Sequence, residues 1–166
     1  MNQLNSLFEA LLRACAVVSG LVFASAAILI SLNVVLRNVG GVTLFGLLDA
    51  VEYGLLLATF LGAPWVLSKN AHVTVDLVTG ALPERLSEPL SRVTALIGFL
   101  ICASLLWYAT DAALASATRG SMIRTAFTIP EWWVLSVLPV SLALMCVEFL
   151  RQAAAPRSGA RQATGL

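Results

Sequence analysis

Residues 14–36, ACAVVSGLVFASAAILISLNVVL, run for 23 positions without a charged side chain, between Arg13 and Arg37. Coiled as an α-helix, such a stretch is about 35 Å long, enough to cross a hydrocarbon layer of about 30 Å with some tilt. No water is available there for backbone N–H and C=O groups, so a helix is the spanning form that satisfies them within one segment. The pattern recurs. Residues 53–68 lie uncharged between Glu52 and Lys69, 93–110 between Arg92 and Asp111, and 132–147 between Glu131 and Glu148. The second run is short, so its helix is expected to begin near Leu47 and to carry Asp49 and Glu52 in its outer turns. The reading is an all-α membrane protein with four transmembrane helices, near 14–36, 47–68, 92–115 and 130–150. They form a single domain over 1–151, followed by a disordered cytoplasmic tail over 152–166.

Composition points the same way. Of the 166 residues, 59% are hydrophobic and 11% charged, with a mean hydropathy of +0.90; soluble domains carry about 25% charged residues. A net charge of +1 offers no basic face for nucleic acid. Ala24-Ser25-Ala26 resembles a signal-peptide cleavage site, yet the apolar stretch continues through Leu36. A signal core is about 7–15 residues long, so a retained helix is expected.

Basic residues set the orientation. Arg13, then Lys69, Arg85 and Arg92, then Arg151, Arg157 and Arg161 lie on one side; Arg37, Arg119 and Arg124 lie on the other. Seven against three places both termini and the middle connection in the cytoplasm. The middle connection carries Leu82, Leu86, Leu90 and Val93 at helical spacing, with Glu84, Arg85, Glu88 and Arg92 between them and Pro83 at the start. This is an amphipathic helical segment between helices two and three. It either extends helix three or lies in the interface plane against lipid or a partner; the second placement is preferred. Thr128-Ile129-Pro130-Glu131 fits a capping box at the start of helix four. Trp132 and Trp133 then fall at headgroup level, and Pro139 is expected to kink the helix.

No catalytic set emerges. Cys15, Cys102 and Cys146 are far apart inside apolar runs and read as small buried fillers. The single histidine, His72, lies near no nucleophile at motif spacing, and there is no glycine-rich phosphate loop. No metal or cofactor site is expected, and no enzyme. Asp49 and Glu52, three apart, sit where a helix N-terminus stabilises acids; Arg37 ends helix one where a cation is stabilised. A functional reading pairs Arg37 with Asp49 or Glu52, or with a charge on another subunit. Asp111 is expected to be neutralised by Arg119 or Arg124. Ala16, Gly20 and Ala24, and likewise Ala58 and Gly62, are four apart and mark close helix packing, within the chain or against a second protein.

The order of these features resembles the small membrane subunit of the tripartite ATP-independent periplasmic (TRAP) transporters, the DctQ-like family. The resemblance spans roughly residues 31–148. Arg37 is followed by the acid Glu52, then Leu61-Gly62-Ala63, then His72-Val73-Thr74-Val75-Asp76-Leu77, and Ile129-Pro130-Glu131-Trp132 and Pro139 open helix four. Phe45 is the nearest aromatic upstream of Glu52, where the family often has tryptophan. The resemblance implies a non-catalytic subunit in the bacterial inner membrane that braces a large membrane subunit and helps dock a periplasmic solute-binding protein. Uptake of an organic anion, commonly a carboxylate, would be driven by an ion gradient. On this reading Arg37, Asp49 and Glu52 serve ion pairing or the partner, Gly62 serves packing, and His72 and Asp76 fix the inner turn near membrane lipid. The residues alone leave a second class open, a small transporter working as a homo-oligomer.

Overall fold

The computed structural model describes residues 2–69 and 84–154. Among these residues four helices carry the fold: α1 (Asn2–Gly40), α2 (Leu47–Ser68), α3 (Glu84–Arg119) and α4 (Glu131–Ala154). All four are long and apolar enough to cross a membrane. A two-stranded antiparallel hairpin, β1 (Met122–Arg124) and β2 (Thr128–Pro130), joins α3 to α4, with Ile123 opposite Ile129.

The helices pack in the order α1–α2–α4–α3. The result is a row one helix deep, with α2 and α4 central and α1 and α3 on opposite flanks. Buried positions on the flanking helices recur every seven residues. In α1 these are Leu12, Ser19 and Ala26, with Asn33 half-buried; in α3 they are Ala95, Cys102, Ala109 and Ser116. A seven-residue repeat keeps one seam facing a neighbour that crosses at a shallow angle.

Small side chains set the closeness of the seams. A Cβ on Gly62 of α2 would lie 2.8 Å from Ser19 Oγ of α1. The Ser19 hydroxyl donates to the Ala58 carbonyl at 2.6 Å. Between α3 and α4, the Phe149 ring covers Gly98 so tightly that a Cβ there would lie 2.5 Å from it. Cys102 and Cys146 are buried in this same seam with Ala109 and Leu142. Between α2 and α4, Ser141 Oγ donates to the Phe60 carbonyl at 2.5 Å. Pro64 has no N–H to give that carbonyl, so Ser141 supplies the bond the proline removes. Gly20, by contrast, faces outward: a Cβ there would meet nothing within 4 Å.

Several boundaries differ from the sequence expectation. α1 begins at Asn2 rather than near 14, because Phe8, Glu9 and Leu12 are tied into the helix row below the uncharged stretch. α4 runs to Ala154, past the expected start of a tail at 152, because Gln152 bonds the Leu67 carbonyl. From Glu84 onward the amphipathic stretch belongs to the single helix α3; its earlier residues, including Leu82 and Pro83, lie outside the described residues. The capping box is replaced by strand pairing. Thr128, Ile129 and Pro130 form β2, and the helix starts after them at Glu131, whose N–H donates to the Ser121 carbonyl at 3.0 Å. β-Branched Ile129 and Thr128 suit a strand, and a proline at its end withholds no needed donor. α4 runs as one helix through Pro139.

Candidate functional site

Polar side chains concentrate at the two ends of the row. At the hairpin end, Asp49 in the first turn of α2 accepts the Ala126 N–H at 2.7 Å. Tyr53, one turn further on, brings its hydroxyl 3.3 Å from Thr125 Oγ1. Gly46 precedes α2 in the left-handed region at φ 72. A Cβ there would lie 2.9 Å from the Phe127 ring and 3.0 Å from Ala126, so both the backbone angle and the space demand glycine. The hairpin tip is thereby seated on the start of α2. A second contact fixes its base: the buried Ser116 hydroxyl donates to Glu131 Oε2 at 2.8 Å. Gly120 follows α3 with its N–H on the Ala117 carbonyl while Ser121 N–H reaches Ser116, so two carbonyls of the last helical turn are taken up as the chain turns.

At the opposite end, Glu148 is only 2% exposed. Arg151 donates from Nη1 to Glu148 Oε2 and from Nη2 to Glu9 Oε1, each at 3.1 Å, and lies 5.0 Å over the Phe8 ring. Gln152 Nε2 donates to the Leu67 carbonyl at 3.1 Å and to Glu148 Oε1 at 3.3 Å. One residue set therefore binds the start of α1, the end of α2 and the end of α4. A buried carboxylate is tolerated when it is paired and hydrogen-bonded, and both conditions hold for Glu148. The pairing brings the first turns of α1 and the last turns of α4 to the same end of the row.

The residues singled out from sequence are distributed unevenly. Asp49 is the acceptor that holds the hairpin. Gly62 sits in the α1–α2 seam. Glu52 is exposed, and so is Arg37 in the last turn of α1; among the described residues neither forms a side-chain bond. The structure does not bring Arg37 to Asp49 or Glu52. Asn33 Oδ1 accepts the Leu44 N–H at 3.1 Å, so the connection into α2 is tied to α1 a full turn before Arg37, about 6 Å short of it along the helix. Asp111 is exposed, and Arg119 instead directs Nε to the Ala115 carbonyl at 3.0 Å. His72 and Asp76 lie outside the described residues.

Glu148, Arg151 and Gln152 were not singled out from sequence as a site. The available signal was a Glu-x-x-Arg step ending the last apolar run, which reads equally as an ordinary boundary charge. The hairpin contacts left less trace still, since Ala126 and Thr125 belong to no motif. Every buried side-chain nitrogen and oxygen among the described residues has a hydrogen-bond partner. No cluster of three or more His, Cys, Asp or Glu occurs among them. Chemically the arrangement holds helices together.

No curated protein matches the chain in sequence. The family pattern described as "Tripartite ATP-independent periplasmic transporters, DctQ component" matches residues 26–157, well over half of the 166. That stretch runs from the middle of α1 past the end of α4, so it takes in the α2–α4 centre, the α3–α4 seam and the hairpin clasp, with the second half of α1. Four membrane-crossing helices, and a match over that length, establish that the chain belongs to the DctQ component family of the TRAP transporters.

Proposed function

We propose that this chain is the non-catalytic brace of its transporter. It holds the large membrane subunit in place and helps a periplasmic solute-binding protein dock during ion-gradient-driven uptake of an organic anion, commonly a carboxylate. The chain crosses the bacterial inner membrane with both termini in the cytoplasm, in keeping with the seven-to-three distribution of its basic residues. The observation that carries this reading is the row itself. Its internal polar groups are satisfied at the seams and at the two clasps, while α1 and α3 each leave a broad outward face for membrane lipid or a neighbour. Such a plate needs no titratable centre of its own. It needs rigid seams and anchors at the membrane surface, which the Trp132–Trp133 pair (ring centroids 5.9 Å apart) and Lys69 over Trp65 supply at its two ends.

The test is reconstitution. Vesicles holding this chain alone should show no solute uptake, whereas vesicles holding it with the large subunit, given the binding protein and an ion gradient, should. Uptake by this chain alone would replace the brace with a self-sufficient homo-oligomeric transporter.

A further inference from the structure

The outward face of α3 carries polar groups where lipid alone would not welcome them. Ser104, Asp111 and Thr118 recur every seven residues, one interval on from the apolar Ile97, and all four are exposed. They stand two residues on from the buried seam of Ala95, Cys102, Ala109 and Ser116, about 200° round the helix. Exposed Leu100, Trp107 and Leu114 repeat at the same interval beside them. α3 thus has two seven-residue stripes on opposite sides; α4 covers one of them.

Depth makes the second stripe unusual. Ser116 bonds Glu131, the first residue of α4, and so marks the hairpin-end level of the row. Asp111 lies five residues below it, about 7.5 Å toward the middle. Trp107 lies about 13 Å below it, far from the surface belt where indoles settle. Ser104 and Thr118 turn their hydroxyls onto carbonyls of their own helix. Asp111, Trp107 and Tyr108 have no hydrogen-bond or ionic partner among the described residues, and the two rings are 76% and 72% exposed. A carboxylate and two aromatic donors facing hydrocarbon are costly, and intramembrane acids turn toward protein or a water-filled space. A second copy of this chain brings no cation to that depth, because 14–36, 53–68, 93–110 and 132–147 are free of charge.

We infer that this stripe of α3 seats a transmembrane helix of the large membrane subunit, which meets Asp111 with a basic or hydrogen-bond-donating side chain. The inference rests on the brace reading above and adds to it a face and a charge. Trp107 and Tyr108 act as the aromatic anchors of the contact, with Leu100 and Leu114 packing around them.

The experiment is co-purification of the tagged chain with its large subunit in mild detergent, with a photo-crosslinking amino acid placed at position 107 or, for comparison, at the exposed α1 position Ile28. The wild-type chain should recover the large subunit, and the probe at 107 should give an adduct of the summed mass while the probe at 28 does not. Asp111→Leu should lower recovery at least tenfold and Asp111→Asn less. The melting temperature of the isolated chain should not change in either variant, since Asp111 touches nothing within it. Unchanged recovery with Asp111→Leu, or adducts only from 28 or only with a second copy, overturns the inference and leaves the brace standing. Failure of the wild-type chain to recover the large subunit overturns the brace and the inference together.

Discussion

Ser141 of α4 gives its hydroxyl proton to the carbonyl of Phe60 in α2, the carbonyl that Pro64 deprives of its helical donor. One short side chain both repairs a broken helix bond and ties the two central helices. Ser141→Ala should therefore destabilise the chain by about 1 kcal/mol, the range found for hydrogen bonds between helices in membranes. The same substitution should cost clearly less in a chain that also carries Pro64→Ala, where the backbone donor is restored. Thermal unfolding in detergent of the two single variants and the double variant measures that coupling.

The tight glycines should separate by position. Gly98→Val forces side-chain atoms into the Phe149 ring and should destabilise by about 1–3 kcal/mol through overpacking. Gly20→Ala meets open space and should leave the melting temperature unchanged or slightly raised, since alanine is the better helix former. Melting curves of the two variants under one detergent condition decide this.

Loss of Asp49 should free the hairpin without unfolding the row. Asp49→Ala removes the acceptor of the Ala126 N–H, a charge-assisted bond of about 1.5–3 kcal/mol. Amide hydrogen exchange should rise over 122–130 while the α3–α4 seam around Cys102 and Cys146 keeps its protection. Uniform loss of protection would show that the clasp supports the whole fold.

Arg151 and Glu9 occupy one ion pair yet should behave differently. Arg151→Ala leaves Glu148 buried without its cation, which costs about 3–5 kcal/mol where a buried pair is broken. The Glu9 side chain is half-exposed, so Glu9→Ala should cost about 1 kcal/mol or less and its effect should fade in high salt. Melting temperatures at low and high sodium chloride separate the two.

Arg37 and Glu52 make no side-chain bonds among the described residues. Arg37→Ala and Glu52→Ala should leave the stability of the isolated chain unchanged. If these charges serve the partner, each variant should lower the yield of complex or the uptake rate without altering substrate preference. Normal yield and normal uptake in both variants would remove the two residues from the interface.

Four helices were legible because charges punctuate the chain and the runs between them match the thickness of a bilayer. Helix ends were less legible. Hydropathy locates hydrocarbon, whereas α1 and α3 extend beyond it on contacts such as Phe8 with Arg151, which depend on residues 143 positions apart. The hairpin was hidden because Thr-Ile-Pro-Glu satisfies a capping pattern as well as a strand end, and only pairing with Met122–Arg124 distinguishes them. Spacing by four drew notice to Gly20, which faces outward, while the working seams repeat by seven through Ser19 and Ser116, whose types gave no cue. Asp49 was visible as an acid at a helix start. Its use as a hairpin acceptor was not, because the donor is a backbone amide with no signature in sequence.

A plate of helices one layer thick has almost no interior. Most of its positions are read by whatever surrounds the polypeptide and few by the polypeptide itself. A comprehensive substitution survey of this chain, scored by the activity of the assembled transporter, would chiefly trace the outline of its companions. Tolerance to change would follow the contours of the assembly, and only the thin lines of contact between adjacent rods would report folding.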